Sequence, residues 1–419
     1  MRYIKRRLTA KIEHSLTVDR VTALMGPRQA GKTTLVRHLL QSEKELVYYN
    51  LKDPAVRKTL QENAKQEFDY YRNATIVLDE VQTVPSLLEQ IQLQVDETPE
   101  IKGRFLLLGS NHLLLNRHIK ESLAGRVTLF SLLPLGIGEI EESTKPTLLD
   151  MLLAAENHHG CTGIINNFYL PSRLHEKKQN TLMSLNRFGG YPEFLTRKEP
   201  DDRIAWLNSY HQTYLETDLR QLVELRNPES FEIFERLFVQ RIGGLMNIAE
   251  LGRDCGLSAD TIRRFIGYYR QLFITWRAKP YHTNPGKRMM KMSKYYFYDT
   301  GLLRAIPGDF STLSGHFFEN TVLAEIKKIL SFYQQRDKLY FARTSTGVEV
   351  DGCIPALKGD FFIFLEIKQS ETHHNHHIRH LKKYIKTQEN SIGILVNNSI
   401  SINQLTEKIW SIPASWLLG

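Results

Sequence analysis

The chain has 419 residues, 42% hydrophobic and 24% charged, with three cysteines and a formal net charge of +9. That composition excludes a disordered or fibrous chain, and no apolar run approaches the roughly 18 residues that a membrane helix needs. Three cysteines with no CxxC pair exclude a disulfide framework and predict a reducing compartment, the cytoplasm; the basic start (Arg2, Lys5, Arg6, Arg7) leads into no apolar secretory segment.

At ~150 residues per domain the length predicts about three domains. The first ~140 residues alternate β-rich runs with helical patterns, as a parallel α/β sheet does. Val21–Met25 reads as a buried strand entering a Gly-bounded turn, and helical spacing follows from Lys32 to Leu40. Leu46–Tyr49 and Thr75–Leu78 are the next strands, Pro85 opens a helix to about Val95, and Phe105–Leu108 and Val127–Phe130 complete the set. Residues 145–185 read as irregular, with an inserted loop at His158, His159, Gly160 and Cys161. From 200 to 275 the pattern is helical throughout. Strands return at Tyr295–Tyr298, Leu339–Arg343, Val348–Ile354, Phe361–Ile367 and Ile392–Val396.

Charge is unevenly spread. Residues 1–11 carry five basic side chains and no acid, and residues 241–300 carry eleven basic against four acidic. A basic stripe on a slightly acidic remainder is the footprint of nucleic-acid binding, with a solvated face or an acidic protein partner as the alternative.

Gly26-Pro27-Arg28-Gln29-Ala30-Gly31-Lys32-Thr33, with Thr34 next, matches the P-loop pattern GxxxxGK[ST] between a strand and a helix. Its glycines let backbone N–H groups surround the phosphates of ATP at a helix N-terminus. Lys32 is expected to bridge the terminal phosphates and Thr33 to hold Mg²⁺. The third strand ends in Asp79-Glu80: Asp79 fits the residue that binds Mg²⁺ through water, and Glu80 the residue that polarises the attacking water. After the fourth strand, Ser110 and Asn111 both qualify to position that water. Arg126, between Gly125 and the fifth strand, is a candidate arginine finger toward a neighbouring copy, or a helix-terminal Arg bonding carbonyls.

Two later constellations carry chemistry. Residues 247–264 read as helix, Gly256 turn, helix, with Ser258 as N-cap, in helix-turn-helix fashion. The second helix is expected to present Arg263, Arg264 and Arg270 with Tyr268 and Tyr269, and the acid-free run beyond it adds Lys287, Arg288, Lys291 and Lys294 as phosphate contacts on DNA. Alternatively a winged helix here packs on the nucleotide domain and binds no DNA. Further on, Asp351 in one strand and Glu366-x-Lys368 ending the next have the layout of PD-(D/E)xK nucleases. Asp351 and Glu366 would share Mg²⁺ or Mn²⁺, Lys368 would stabilise developing charge, and Glu319 on an upstream helix would add a ligand or orient the site. The tract His373–His377 reads as an exposed polar loop, with transition-metal binding as the alternative.

The phrases GPRQAGKTTL, VLDEVQ, LLLGSN and SLAGRV resemble the bacterial and archaeal AAA-superfamily ATPases of the additional-strand catalytic-Glu type. The resemblance continues through Gly189-Gly190-Tyr191-Pro192, Tyr214-Leu215-Glu216-Thr217-Asp218, Gly286-Lys287-Arg288, Tyr298-Asp299-Thr300-Gly301-Leu302, Phe318-Glu319-Asn320 and Glu366-Ile367-Lys368. These are similar to a subfamily whose C-terminal half carries a domain of unknown function. The resemblance implies a winged helix and a restriction-endonuclease-like fold, a sensor at Ser110 or Asn111, a finger-like role for Arg126 and adenine packing at Pro192. The expected organisation is a P-loop ATPase core over 1–145, a helical lid over 146–225, a winged helix-turn-helix over 226–294 and a nuclease-like α/β domain over 295–419. The expected partners are DNA, a second copy or a protein, and no membrane.

Overall fold

Buried strands of a parallel sheet are covered on both faces, so they read as unbroken apolar runs rather than alternating ones. Val21–Met25 (β1), Thr75–Asp79 (β3) and Phe105–Gly109 (β4) follow that rule, each buried at all five positions. Leu46–Asn50 (β2) and Val127–Ser131 (β5) are partly exposed and lie at the sheet edges. A computed structural model describes residues 3–39, 45–110, 122–222, 228–281, 292–344, 346–372 and 374–419. Its backbone divides into two units, one of residues 1–135 with 191–196 and 269–274, the other of the remainder.

In the first unit the sheet order is β2-β3-β4-β1-β5, every pair parallel. β4 is thus inserted between the strand that enters the phosphate loop and the strand that ends in Asp79. Register pairs Met25 with Gly109 and Asp79 with Leu108, so three strand ends open at one edge of the sheet. Helix Thr9–Val18 precedes β1, and helices Lys32–Leu39, Pro54–Tyr70 and Leu87–Glu97 connect the strands that follow. Pro54–Tyr70 begins as its sequence dictates: the Asp53 side chain accepts from the Ala55 N–H, and Pro54 stands where no intrahelical N–H is required.

The second unit begins with the short helix Ile137–Ile140, followed by helices Leu148–Ala154, His158–Asn167 and Ser172–Phe188. The expected loop at 158–161 is therefore a helix. Asn157 caps it by accepting from the Gly160 N–H, and Cys161 is buried along it, which outweighs the poor propensity of His-His-Gly-Cys. Helices Pro200–Leu222, Pro228–Gln240, Ile248–Cys255 and Ala259–Gln271 follow. The turn at Gly256 lies at φ +65°, and Ser258 Oγ accepts from the Thr261 N–H at 3.1 Å. Phe231 and Phe234 of helix Pro228–Gln240 pack on Phe265 of the second helix, with ring centroids 5.0 and 5.2 Å away.

Eight strands close the second unit: Thr275–Pro280 (β6), Lys294–Phe297 (β7), Tyr340–Arg343 (β8), Glu349–Pro355 (β9), Phe362–Ile367 (β10), Ser391–Asn397 (β11), Asn403–Thr406 (β12) and Ile409–Pro413 (β13). Their order is β12-β13-β11-β10-β9-β8-β6-β7. β8, β9 and β10 run antiparallel, while β10, β11 and β13 run parallel. β6, β12 and β13 were not expected from the sequence: β6 fell at the end of the helical stretch, and β12 is short and half exposed. Helix Gly315–Phe332 opens at the Ser314 cap. Among the described residues no helix is long and apolar enough to cross a membrane.

Candidate functional site

The phosphate loop follows β1 directly. A Cβ on Gly26 would lie 2.1 Å from the Leu132 carbonyl oxygen, so only glycine permits that approach, and Gly31 adopts φ +92°. Lys32 is buried and donates to the Gly26 and Pro27 carbonyls at 2.9 and 2.8 Å. Burial lowers its pKa to about 8, against the upward pull of Glu80 and Asp79. Thr33 Oγ1 donates to Asp79 Oδ2 at 2.8 Å. The hydroxyl and carboxylate expected to hold Mg²⁺ are therefore side by side. Pro27, Arg28, Gln29 and Ala30 form the loop itself, with Gln29 at φ +59°, and Thr34 is exposed on the helix. Pro192 comes to the loop in the same unit: its Cγ is 3.8 Å from the position of a Cβ on Gly31.

Glu80 sits at φ +59°, a left-handed conformation rarely taken by a residue other than glycine. Lys52 Nζ lies 2.8 Å from its Oε1, and Ser110 Oγ donates to Oε2 at 2.8 Å. Gln82 Nε2 also donates to Oε2 and reaches Ser110 Oγ at 3.2 Å. Burial alone would raise the Glu80 pKa, but the hydrogen bonds from Lys52 and Gln82 and the nearby cations bring it down to about 2. Such a carboxylate is ionised throughout the physiological range. That charge state suits the expected role of polarising water rather than removing a free proton. Of the two water-positioning candidates, Ser110 is joined to Glu80, and Asn111 lies outside the described residues.

Sequence reasoning missed Lys52, Gln82 and Tyr48, whose hydroxyl donates to Asp79 Oδ2. Gln82 had a signal, since it stands two residues after Glu80 in a one-turn helix; Lys52 and Tyr48 come from an adjacent strand and its exit and had none. Arg126 is engaged within the chain. Its Nε and one terminal nitrogen reach the two Asp96 oxygens at 2.6 and 2.8 Å, and the other donates to the Ala124 carbonyl.

On helix Ala259–Gln271, Arg263, Arg264 and Arg270 are exposed, with Arg263 paired to Asp260 at 2.5 Å. Tyr269 is fully buried and Tyr268 partly so, so the expected aromatic face is absent. Lys287, Arg288 and Lys291 lie outside the described residues. Lys294 is a correction. It is 3% exposed, its Nζ is 2.6 Å from Glu349 Oε1, and it is withdrawn from any nucleic-acid face. The acid that neutralises it lies on a strand 55 residues later, beyond the reach of local charge counting.

Lys294 belongs instead to the carboxylate cluster. Asp351 on β9 and Glu366 on β10 stand on neighbouring antiparallel strands. Asp351 Oδ2 accepts the Ile367 N–H at 2.7 Å, and Lys368 Nζ lies 2.7 Å from Glu366 Oε1 and 3.8 Å from Asp351. Ile367 is buried between Glu366 and Lys368. Glu319 accepts from the Tyr296 hydroxyl at 2.7 Å, and Glu349 is shared by Lys294 and Arg343. Burial first, and the Asp351 charge second, push both Glu366 and Glu319 well above the ordinary glutamate value. Glu366 Oε2 is buried without a hydrogen-bond partner among the described residues. Among those same residues no three His, Cys, Asp or Glu side chains are grouped as a metal-ligand set, so the expected trio of Asp351, Glu366 and Glu319 is not preformed. His374 and His376 stack in an exposed turn, and His377 meets both rings edge-on.

Residues 18–141 match the family model of an AAA domain, and residues 180–313 and 314–417 match two domains of unknown function, DUF8612 and DUF4143. Uncharacterized proteins of Mycobacterium bovis and Mycobacterium tuberculosis are each 28% identical over 375 residues, covering 88% of this chain and 74% of theirs. An uncharacterized protein of Haemophilus influenzae is 20% identical over 336 residues, 74% of each chain. The solved structure of a Walker-type ATPase of Pyrococcus abyssi covers 73% of this chain and 96% of its own, at 14% identity and a TM-score of 0.46. The AAA match falls on the residues that build the parallel sheet, the phosphate loop and the Asp79-Glu80 pair: residues 18–141 form an AAA-type P-loop ATPase domain, with ATP as its nucleotide.

Proposed function

We propose that ATP hydrolysis, with Mg²⁺ held by Thr33 and Asp79, controls DNA binding and processing by the C-terminal half, where Asp351, Glu366 and Lys368 support metal-dependent phosphodiester cleavage. One observation carries the second clause. Two carboxylates and a lysine meet on adjacent strands, and one buried Glu366 oxygen lacks a hydrogen-bond partner among the described residues. A buried carboxylate oxygen requires a cation, a donor or a proton. Mg²⁺ commonly takes one or two carboxylates and completes its shell with water and substrate phosphate, so Asp351 and Glu366 suffice without Glu319. The metal would polarise the scissile phosphate and lower the pKa of a bound water. Lys368, tethered to Glu366, stands ready to stabilise charge developing on phosphate oxygens. Glu319, held by the Tyr296 hydroxyl, orients the cluster from the helix side.

In the ATPase, Lys32 is prearranged on loop carbonyls and turns to phosphate when nucleotide enters. Glu80, positioned by Ser110, Gln82 and Lys52, aligns the attacking water. Arg126 can serve a neighbouring copy only by leaving Asp96, so Asp96→Ala should favour self-association if that role operates. DNA is engaged by the exposed Arg263, Arg264 and Arg270 together with Lys287, Arg288 and Lys291. Six phosphate contacts, at about −0.9 each, give a log–log salt slope of roughly −5. The alternative, a nucleotide-dependent switch with a non-catalytic C-terminal scaffold, is favoured by one observation: Lys294 and Arg343 already neutralise Glu349 inside the cluster. Incubation of plasmid, single-stranded and branched DNA with Mg²⁺ or Mn²⁺ separates the two. Cleavage by the wild type and none by Asp351→Ala supports the nuclease; no cleavage of any substrate supports the scaffold.

A further inference from the structure

We propose that Arg6 is a positioning residue for ATP hydrolysis, setting the phosphate loop through the Ala30 carbonyl. This concerns the ATPase alone and does not depend on the DNA reading. Arg6 is 5% exposed, although it lies in the basic N-terminal stretch that otherwise has no assigned task. One terminal nitrogen of its guanidinium donates to the Ala30 carbonyl at 2.6 Å, and the other donates to the Leu133 carbonyl at 2.5 Å. A single planar group therefore joins the phosphate loop to the segment that leaves β5.

The consequence follows from peptide geometry. The Ala30 carbonyl and the Gly31 N–H belong to one planar peptide unit, and in a trans unit they point in opposite directions. The chain has no cis peptide among its described residues. Holding that carbonyl therefore fixes where the Gly31 N–H points, and a P-loop binds phosphate through the aim of such N–H groups. Gly31 needs this restraint, because at φ +92° it is free of the steric limits that would hold another residue. The guanidinium is close enough to matter: its nearer terminal nitrogen lies 3.7 Å from the position of a Cβ on Gly31. Lys32 holds the Gly26 and Pro27 carbonyls, but its task at the phosphates requires it to let go. Arg6, buried and pointed at Ala30 and Leu133, keeps its grip when Lys32 turns.

The test is steady-state ATP hydrolysis with thermal unfolding in parallel, on Arg6→Met, Arg6→Lys and, as a charge control, the exposed neighbour variant Lys5→Met. A hydrogen bond from a charged donor that acts through the loop predicts a KM for ATP raised about tenfold in Arg6→Met, with kcat within about threefold of the wild type. Arg6→Lys, which can serve one acceptor but not both, should recover part of the loss, and Lys5→Met should match the wild type. An unchanged KM in Arg6→Met with a lowered Tm would show a structural strut and overturn the proposal. An equal rise in Lys5→Met would overturn it as well, by showing a general charge effect. Should Arg6→Met fail to fold, Arg6→Lys decides: a raised KM supports the assignment and an unchanged KM defeats it.

Discussion

Two acid–lysine constellations stand in this chain, and they are electrostatically opposite. At the phosphate loop, burial would raise Glu80, yet it is held at about 2 by the hydrogen bonds from Lys52 and Gln82 and the charges of Lys52 and Lys32. At the C-terminal cluster, Glu366 and Glu319 are buried with Asp351 beside them and are pushed upward, although Lys368 and Lys294 are close. Burial is common to both; the number of donors per carboxylate oxygen differs. The first site is a finished arrangement of protein groups. The second sets Glu366 and Glu319 beside Asp351 and leaves Glu366 Oε2 without a hydrogen-bond partner among the described residues, which is the feature the proposed metal site rests on.

The comparison can be broken by substitution. The largest effects belong to the first site: Lys32→Ala should abolish ATP binding, and Glu80→Gln should retain binding while lowering kcat about 10²- to 10⁴-fold in a phosphate-release assay. Asp351→Ala should leave the same assay unchanged. Gln82→Leu, which removes a donor to Glu80 and Ser110, is next, with kcat lowered about tenfold.

The pH dependence of stability should differ in sign between the sites. Glu80 has a depressed pKa, so its contribution is present above the ordinary 4.5 and is lost as pH falls toward 2. Glu366 and Glu319 have raised values, so their contribution is present below 4.5 and is lost as pH rises through their folded-state values. Urea midpoints across pH should therefore show Glu366→Gln gaining on the wild type in alkali and Glu80→Gln losing its disadvantage in acid. The smallest effect is expected from Lys52→Met: with a half-exposed partner gone, Glu80 titrates higher, and the acid limb of the rate profile moves up.

What the sequence revealed depended on range. Local signals were legible: the glycines and lysine of the phosphate loop, the apolar strand ending at Asp79-Glu80, the Gly256 turn and the Ser258 cap each act within a few residues. Alternation around Ile367 placed Glu366 and Lys368 together. Long-range neutralisation was not legible. Lys294 looked like part of a basic surface because Glu349 is far along the chain. Arg6 looked like generic positive charge because its acceptors are backbone carbonyls, which have no sequence signature. The helix at 158–167 was hidden by residues of low helix propensity and is explained by its Asn157 cap and the burial of Cys161.

The most direct test of the contrast is a calorimetric titration of Mn²⁺, at pH 8 and without nucleotide, into a chain whose first metal site is disabled by Asp79→Ala. The account predicts one saturable site in that chain and its loss when Glu366→Gln is added. Absence of binding to the Asp79→Ala chain, or binding unaffected by Glu366→Gln, would contradict it.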